Sequence, residues 1–186
     1  MPSRKLLARW LAAMTLFALA AMLPSIASAG PGVKVSIVPP ETTVTVGDDF
    51  LLRVETSSFP DLKAYSLIFQ FDPVRVSLLG AIDGDVLTSS AGYTAFLRPD
   101  YAAPPDTAWY DAAVLNGSTS GPGVLVYFQF HAATEGDCPV DCRLVDFRDS
   151  QNHRTLPDCN GGLVHIIGPT PTKLTSWGRI KTLYHH

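Results

Sequence analysis

Loop carboxylates are the first residues of this sequence whose chemistry suggests a site. The oxygen donors fall in two loops and comprise Asp83, Asp85, Asp146, Asp149 and Asn152. Calcium takes six to eight oxygen ligands of this kind. However, Asp83-Gly84-Asp85 lacks the full EF-hand pattern, and aspartate is common in turns for backbone reasons. We therefore expect solvated turns and no cofactor, with calcium at these residues as the alternative.

The three cysteines are a second candidate. Cys138 and Cys142 bracket an apparent turn before a strand predicted at 143–148, and Cys159 follows the next loop. The ends of such a strand lie ~20 Å apart, whereas a disulfide needs Cα atoms within ~7 Å. We therefore predict a Cys138–Cys142 disulfide, with Cys159 free or partly buried. A Cys142–Cys159 pair would require the long loop to fold back. A zinc site is disfavoured, because the spacing of the three cysteines matches no zinc-finger pattern.

Aromatic residues cluster in the middle of the chain, at Tyr93, Phe96, Tyr101, Trp109 and Tyr110. Exposed rings in a row can stack on sugars, but rings also fill cores. Alternation from residue 109 places Tyr110 inward and Trp109 outward on a strand. Tyr101 lies in a proline-rich loop at 99–106. We expect core packing for most of these rings and take Trp109 and Tyr101 as the candidate ligand face.

Nothing in the sequence has the pattern of a catalytic centre. There is no Gly-x-Ser-x-Gly, His-Glu-x-x-His or Walker motif, and the five histidines are scattered. His131 falls in a predicted strand, where a hydrogen-bonded structural role is favoured over that of a general base. Most acidic residues occupy turn positions rather than the paired arrangement of a glycosidase. We predict that the protein is not an enzyme.

Residues 1–29 have the pattern of a secretion signal. Arg4, Lys5 and Arg9 precede an apolar run at 11–23, which is too short for a comfortable membrane span. Ala27-Ser28-Ala29 fits a cleavage site with small residues, so we expect the mature chain to begin at Gly30. An uncleaved anchor is the alternative. We expect a secreted or cell-surface protein that contacts membrane only through this signal or through sorting of its tail.

Charge is distributed unevenly along the chain. Residues 30–167 contain all 17 acidic residues against 8 lysines and arginines, a net charge of −9. Residues 168–186 contain three basic residues and no acidic one. Because an acidic domain repels a phosphate backbone, we exclude nucleic acid as a partner.

The elements that must position these residues are strands. The stretch 64–80 organises the domain: Tyr65, Leu67, Phe69 and Phe71 alternate with smaller or polar residues, and Asp72-Pro73 then forces a turn before a second strand. Similar punctuation by Gly, Pro, Asn and Asp separates ten predicted strands, at 33–38, 43–46, 50–56, 64–71, 74–81, 93–98, 109–115, 124–132, 143–148 and 163–167. The pattern predicts one all-β domain, a sandwich or barrel, with no long amphipathic helix.

The stretch 64–80 also resembles the cohesin domain, a jelly-roll sandwich of bacterial secreted proteins related to carbohydrate-binding modules. Residues 44–50 resemble the Val-Gly-Asp turn that enters the second cohesin strand, and residues 120–130 resemble the Gly-x-Gly-x-Leu run of its seventh strand. Residues 146–152 and 162–166 resemble the last two strands and their loop. The resemblance covers residues 33–167 and implies a two-sheet jelly-roll β-sandwich over residues 30–167.

The resemblance implies a non-catalytic binding or scaffold module that recognises a dockerin-type protein or takes part in extracellular assembly on polysaccharide. In cohesins the partner packs on the sheet that includes the third, fifth, sixth and eighth strands. The alternatives are a carbohydrate-binding module, which would show coplanar exposed rings, and a structural cell-surface domain without a specific ligand. A protein binder would show a flat, mixed apolar and polar sheet face. We expect a monomer.

A short Pro/Thr linker at 168–172 precedes a basic-aromatic tail at 173–186. The tail contains Trp177, Arg179, Lys181 and Tyr184, and its sequence resembles short sorting tails of some secreted bacterial proteins. Its charge is opposite to that of the domain. We predict that it is a terminal signal or docking tag outside the fold. The alternative is that Trp177 packs onto an apolar patch of the domain.

Overall fold

A computed structural model describes residues 32–88, 93–97 and 105–169, and within 93–97 the side chain of Thr94 alone. These residues form an all-β structure of two sheets, as predicted. The single helix among them is one turn, α1 (Asp85–Thr88). None of the described residues forms a helix long and apolar enough to cross a membrane.

Ten of the described strands correspond to the predicted ones, several with longer bounds, whereas the short strands at 154–155 and 158–160 were not predicted. In chain order the described strands are β1 (Lys34–Val38), β2 (Glu41–Thr45), β3 (Asp49–Leu62), β4 (Ala64–Gln70), β5 (Val76–Asp83), β6 (Tyr93–Leu97), β7 (Thr107–Val114), β8 (Thr119–Ala132), β9 (Gly136–Arg148), β10 (Arg154–Thr155), β11 (Asp158–Asn160) and β12 (Gly162–Ile167).

Two sheets, here called sheet I and sheet II, share these strands. Sheet I has the order β11-β1-β3-β8-β5, and sheet II has the order β2-β12-β9-β4-β7-β6, with β10 added beside β9. Most pairs are antiparallel, whereas β1 with β11 and β12 with β2 are parallel. Consecutive strands therefore often lie in different sheets, as a jelly roll requires.

Strand β4 lies at the centre of sheet II, between β7 and β9. The inward face predicted for it is confirmed, because Tyr65, Leu67, Phe69 and Phe71 are each at most 4% exposed. Phe69 meets Phe128 of sheet I edge to face, with 5.9 Å between the ring centroids. The alternation seen in the sequence thus marks the side of β4 that closes the core between the sheets.

The Asp72-Pro73 corner carries the chain from one sheet to the other. The Asp72 carboxylate accepts the Val74 N–H at 2.9 Å, and its carbonyl oxygen accepts the Arg75 N–H at 3.0 Å. Strand β5 begins only at Val76 and forms the edge of sheet I, so the predicted strand start at residue 74 is wrong. Hydrogen bonding by Asp72 keeps the intervening residues in a turn.

The predicted Cys138–Cys142 disulfide is wrong. The bond joins Cys142 to Cys159, with Cα atoms 6.0 Å apart, while Cys138 is free and fully buried. Residues 138–142 are not a turn but part of β9, and positions four apart on a strand lie ~13 Å from each other. The loop after β9 does fold back, because β11 returns to pair with β1 in sheet I. The disulfide therefore connects the two sheets.

The predicted strand at 143–148 omits the first half of β9 because Pro139 has the sequence pattern of a turn. Pro139 sits inside the strand, opposite Leu163 of β12. The half of β9 that contains it pairs only with β12, whereas the pairing with β4 begins at Asp141. A proline is tolerated where one side of a strand has no ladder partner. Pro139 is therefore compatible with an extended strand at this position.

Candidate functional site

The outer face of sheet II, formed by the outward side chains of β9, β4 and β7, has an apolar row at its centre. Ile68 lies in register with Trp109 on one side and with Leu144 on the other. All three side chains are partly exposed. Alternation along each strand puts polar residues on either side of this row. The result is a sheet face of mixed apolar and polar character.

Trp109 faces outward and Tyr110 inward, as predicted from alternation. The indole Nε1–H of Trp109 donates to Asp111 Oδ1 at 3.0 Å, and Ser66 Oγ lies within hydrogen-bond distance of the same nitrogen at 3.2 Å. Both partners are neighbours on the same face, one on β7 and one on β4. The indole edge is therefore held by the protein itself.

One flank of the apolar row is a hydrogen-bonded polar group around Gln70. Its amide nitrogen donates to Asp106 at 2.6 Å, and its amide oxygen accepts from Arg143 Nε at 2.7 Å. Asp106 also accepts the hydroxyl of Thr107 at 3.0 Å. The hydrogen bonds from Gln70 and then Thr107 lower the pKa of Asp106 below its ordinary value. This carboxylate stays charged within the network under mildly acidic conditions.

The opposite flank is an ion-pair group around Asp146. Its carboxylate lies 3.3 Å from Arg148 Nε and 2.8 Å from Arg154 Nε, and its side chain is only 15% exposed. Strand β10 supplies Arg154 by pairing with the end of β9. With one carboxylate between two guanidinium groups, this ion-pair group carries a net positive charge.

A β-bulge in β9 sets the position of Arg143. The register with β4 shifts by one residue, so that Leu144 opposes Ile68 while Cys142 opposes Phe69. The inward set accordingly changes from Cys138, Val140 and Cys142 to Val145 and Phe147. The inter-sheet disulfide attaches at this bulge. Our sequence reasoning missed the bulge, although the change of alternation at residues 142–145 is its signal.

A cavity of about 330 Å³ lies at one end of the outer face. Two small residues in register, Ala64 and Ala113, contribute to its lining. The remaining lining residues are Lys63, Val114, Leu115, Arg148, Asp149, Ser150 and Asn152. No motif in the sequence indicated this cavity, because it depends on strand ends that are distant along the chain.

The calcium candidates have structural partners. Asp83 accepts a hydrogen bond from the Tyr110 hydroxyl, and Asp85 accepts the Val124 N–H at 2.7 Å. Burial raises the pKa of Asp149, but hydrogen bonds from His153 and Gln151 outweigh this effect and lower it overall. Within the described ranges, no three His, Cys, Asp or Glu side chains come together as a metal site.

The outer face of sheet I carries a row of residues with the composition of a catalytic triad. His131 lies in register with Asp49 on one side and with Ser77 on the other. His131 Nδ1 is 2.7 Å from Asp49, which is the structural role expected for this histidine. Among the described side chains, however, no hydrogen bond joins Ser77 to His131. The contact between nucleophile and base that activates a serine is therefore missing.

Several predicted features lie outside the described residues. These are the signal at 1–29, Tyr101 of the candidate ligand face, and the tail residues Trp177, Arg179, Lys181 and Tyr184. The side chains of Tyr93 and Phe96 are also outside this set. Trp109 is the only aromatic ring among the described side chains on the outer face of β9, β4 and β7.

No protein-family model matches the sequence, and no curated protein is similar enough to match it. Solved structures do match the fold. A non-cellulosomal cohesin from the hyperthermophilic archaeon Archaeoglobus fulgidus has a TM-score of 0.60 and 14% identity, over 83% of this chain and 99% of that chain.

Two further matches are bacterial. A chain of a type I cohesin–dockerin complex from Clostridium thermocellum has a TM-score of 0.62 and 12% identity, over 78% of this chain and 100% of that chain. A type II cohesin domain from the cellulosome of Acetivibrio cellulolyticus has a TM-score of 0.61 and 12% identity, over 72% of this chain and 95% of that chain. At these identities the likeness establishes the fold, and this chain is a cohesin-like jelly-roll β-sandwich.

Proposed function

We propose that this chain is a secreted, non-catalytic binding module that recognises a dockerin-type protein partner through the outer face of sheet II. The observation that carries the proposal is the identity of the strands in that sheet. The segments resembling the second and seventh cohesin strands are β3 and β8. Counting from these, β4, β6, β7 and β9 take the third, fifth, sixth and eighth places, and they lie side by side in sheet II.

The composition of this face favours a protein over a polysaccharide as the direct ligand. Among its described side chains, the centre is two aliphatic groups beside one indole, and the flanks are hydrogen-bonded or ion-paired polar groups. Such a mixture is typical of protein interfaces, with an apolar centre and a polar rim. A sugar platform would instead need several coplanar rings. Solved structures with this fold include complexes with dockerins.

Secretion and extracellular assembly complete the proposal. The positively charged start, apolar run and Ala-Ser-Ala site of residues 1–29 support export. A disulfide between the sheets suits an oxidising compartment. We propose that the partner links this monomeric module to an assembly on polysaccharide outside the cell.

Calorimetric titration tests the proposal. The chain from Gly30 to His186 is titrated with each dockerin-type module encoded in the same genome, with calcium present for the dockerin. We expect at least one dissociation constant below about 10 µM. Ile68→Arg should weaken that binding at least about 100-fold, because it places a charge in the apolar row.

The matched control is Leu51→Arg, which changes a side chain that is 49% exposed on the outer face of sheet I. It should leave the affinity unchanged within about 3-fold. Failure of every dockerin to bind would overturn the proposal. Binding to cellulose or xylan in a parallel assay, with no dockerin bound, would favour the carbohydrate-binding alternative.

A further inference from the structure

We infer that Trp109 is the anchor residue of the outer face of sheet II, and that Ser66 and Asp111 are positioning residues that fix its ring for apolar contact with the partner. The inference rests on the proposed function and names the part of that site which determines affinity. Its basis is the arrangement of side chains around the indole.

The indole lies beside Ile68 in an apolar strip whose described members cross three strands. Side chains directly opposite each other on neighbouring strands have Cβ atoms about 5 Å apart. The row of Trp109, Ile68 and Leu144 therefore spans about 10 Å across the strands. A strip of this length matches two or three adjacent apolar side chains of a partner protein.

The hydrogen bonding of the indole determines which part of it a partner can use. Its single donor, Nε1–H, is engaged by Asp111 and Ser66 on the same face. A partner therefore gains affinity from the apolar surface of the ring rather than by accepting its N–H. Fixing the ring before binding also reduces the side-chain entropy that association would otherwise remove.

Polar groups that are bonded within the protein lie on both sides of the apolar strip. On one side Gln70 connects Asp106 and Arg143, and on the other Asp146 pairs with Arg148. Gln70, Asp106 and Arg143 already hydrogen-bond to one another, so these contacts need not be formed anew when water leaves the interface. Interface hot spots are enriched in tryptophan and are surrounded by such energetically neutral contacts.

The two aliphatic neighbours of Trp109 favour a protein over a sugar as the ligand of this strip. Ile68 and Leu144 are aliphatic and cannot extend a stacking platform from Trp109. They do extend the apolar surface for aliphatic or aromatic side chains. The strip therefore fits a protein surface that presents an apolar row.

The experiment measures the affinity of Trp109 variants for the dockerin module that binds the wild-type chain most tightly. Trp109→Ala should weaken binding at least about 30-fold, as for a hot-spot residue. Trp109→Phe keeps an aromatic ring but loses the N–H donor, so it should weaken binding less than Trp109→Ala does. It replaces the alanine variant in the measurement if that variant does not fold. Leu51→Ala, on the outer face of sheet I, is the control and should change the affinity less than about 3-fold.

The positioning role has its own readouts. Ser66→Ala should weaken binding about 2- to 10-fold, the range for one hydrogen bond, and Ser66→Thr should restore it. The Trp109 indole N–H, assigned by comparison with a Trp177→Phe chain, should exchange with water faster in Ser66→Ala than in the wild type.

The possible outcomes separate this inference from the proposed function. If a dockerin binds wild type and Trp109→Ala with equal affinity, the anchor role is wrong while the proposed function stands. If Ser66→Ala leaves both the affinity and the indole exchange unchanged, the positioning role of Ser66 is wrong. If no dockerin binds the wild type, both the inference and the proposed function fail.

Discussion

Replacing both Cys142 and Cys159 with alanine should lower the free energy of unfolding by about 3 kcal/mol. The two cysteines are 17 residues apart, and the chain-entropy relation for a cross-linked loop of this length gives that value. Since the bond joins β9 of sheet II to β11 of sheet I, the loss should affect the whole sandwich. For a domain of this size it corresponds to a fall in melting temperature of roughly 10 °C.

Urea denaturation without reductant, followed by circular dichroism, measures the effect. The wild type treated with reductant should match the double alanine variant. The control is Cys138→Ala, which keeps the cross-link and removes one small buried side chain. It should cost only about 1 kcal/mol.

Peptide mapping under non-reducing conditions identifies the bond directly. We expect a Cys142–Cys159 cross-link and a free thiol at Cys138, whose pKa is raised by burial. A Cys138–Cys142 cross-link would refute the reasoning. So would a Cys138→Ala variant that loses as much stability as the double variant.

Four further predictions concern the core, the acid response, catalysis and the tail. Phe69→Ala should cost about 3–5 kcal/mol, since Phe69 is fully buried; a loss below about 1 kcal/mol in urea melts would place it outside the core. The lowered pKa of Asp106 means that its stabilisation is present above the ordinary value of 3.8 and is lost as pH falls through the lower folded value. Asp106→Asn should therefore reduce the fall in melting temperature below about pH 4, and an unchanged pH profile would contradict this. Ser77→Ala should hydrolyse p-nitrophenyl acetate at the wild-type rate, because an unactivated serine contributes nothing, and a slower rate would indicate a catalytic row on sheet I. Deleting residues 169–186 should leave the melting temperature unchanged and misdirect the protein or release it from the cell surface, whereas a fall of several degrees would show that the tail packs on the sandwich.

The central strand and its inward face could be predicted from the sequence because they depend on local pattern. Alternation from Tyr65 to Phe71 and the Asp72-Pro73 corner specify a half-buried strand followed by a turn. Neither depends on which strands lie beside it. The same reasoning assigned Trp109 to the outer side of its strand, and the structure confirms that assignment.

The disulfide and the composition of the outer face could not be predicted in the same way. The Cys142–Cys159 bond exists because β11 returns to sheet I, and no spacing rule within the loop specifies this return. Likewise, Ile68 and Leu144 become neighbours only through the register of β4 with β9, which a one-residue bulge shifts. Local patterns fix which side of a strand is buried, whereas the neighbours across strands depend on the whole topology.

The most direct test of the central claim is methyl NMR of the chain as a dockerin module from the same genome is added. Ile68 and Leu144 report on the outer face of sheet II, and Leu51 and Ile82 report on exposed positions of sheet I. We predict that the methyl resonances of Ile68 and Leu144 shift on binding while those of Leu51 and Ile82 do not. Shifts confined to Leu51 and Ile82 would contradict the claim that the partner docks on sheet II.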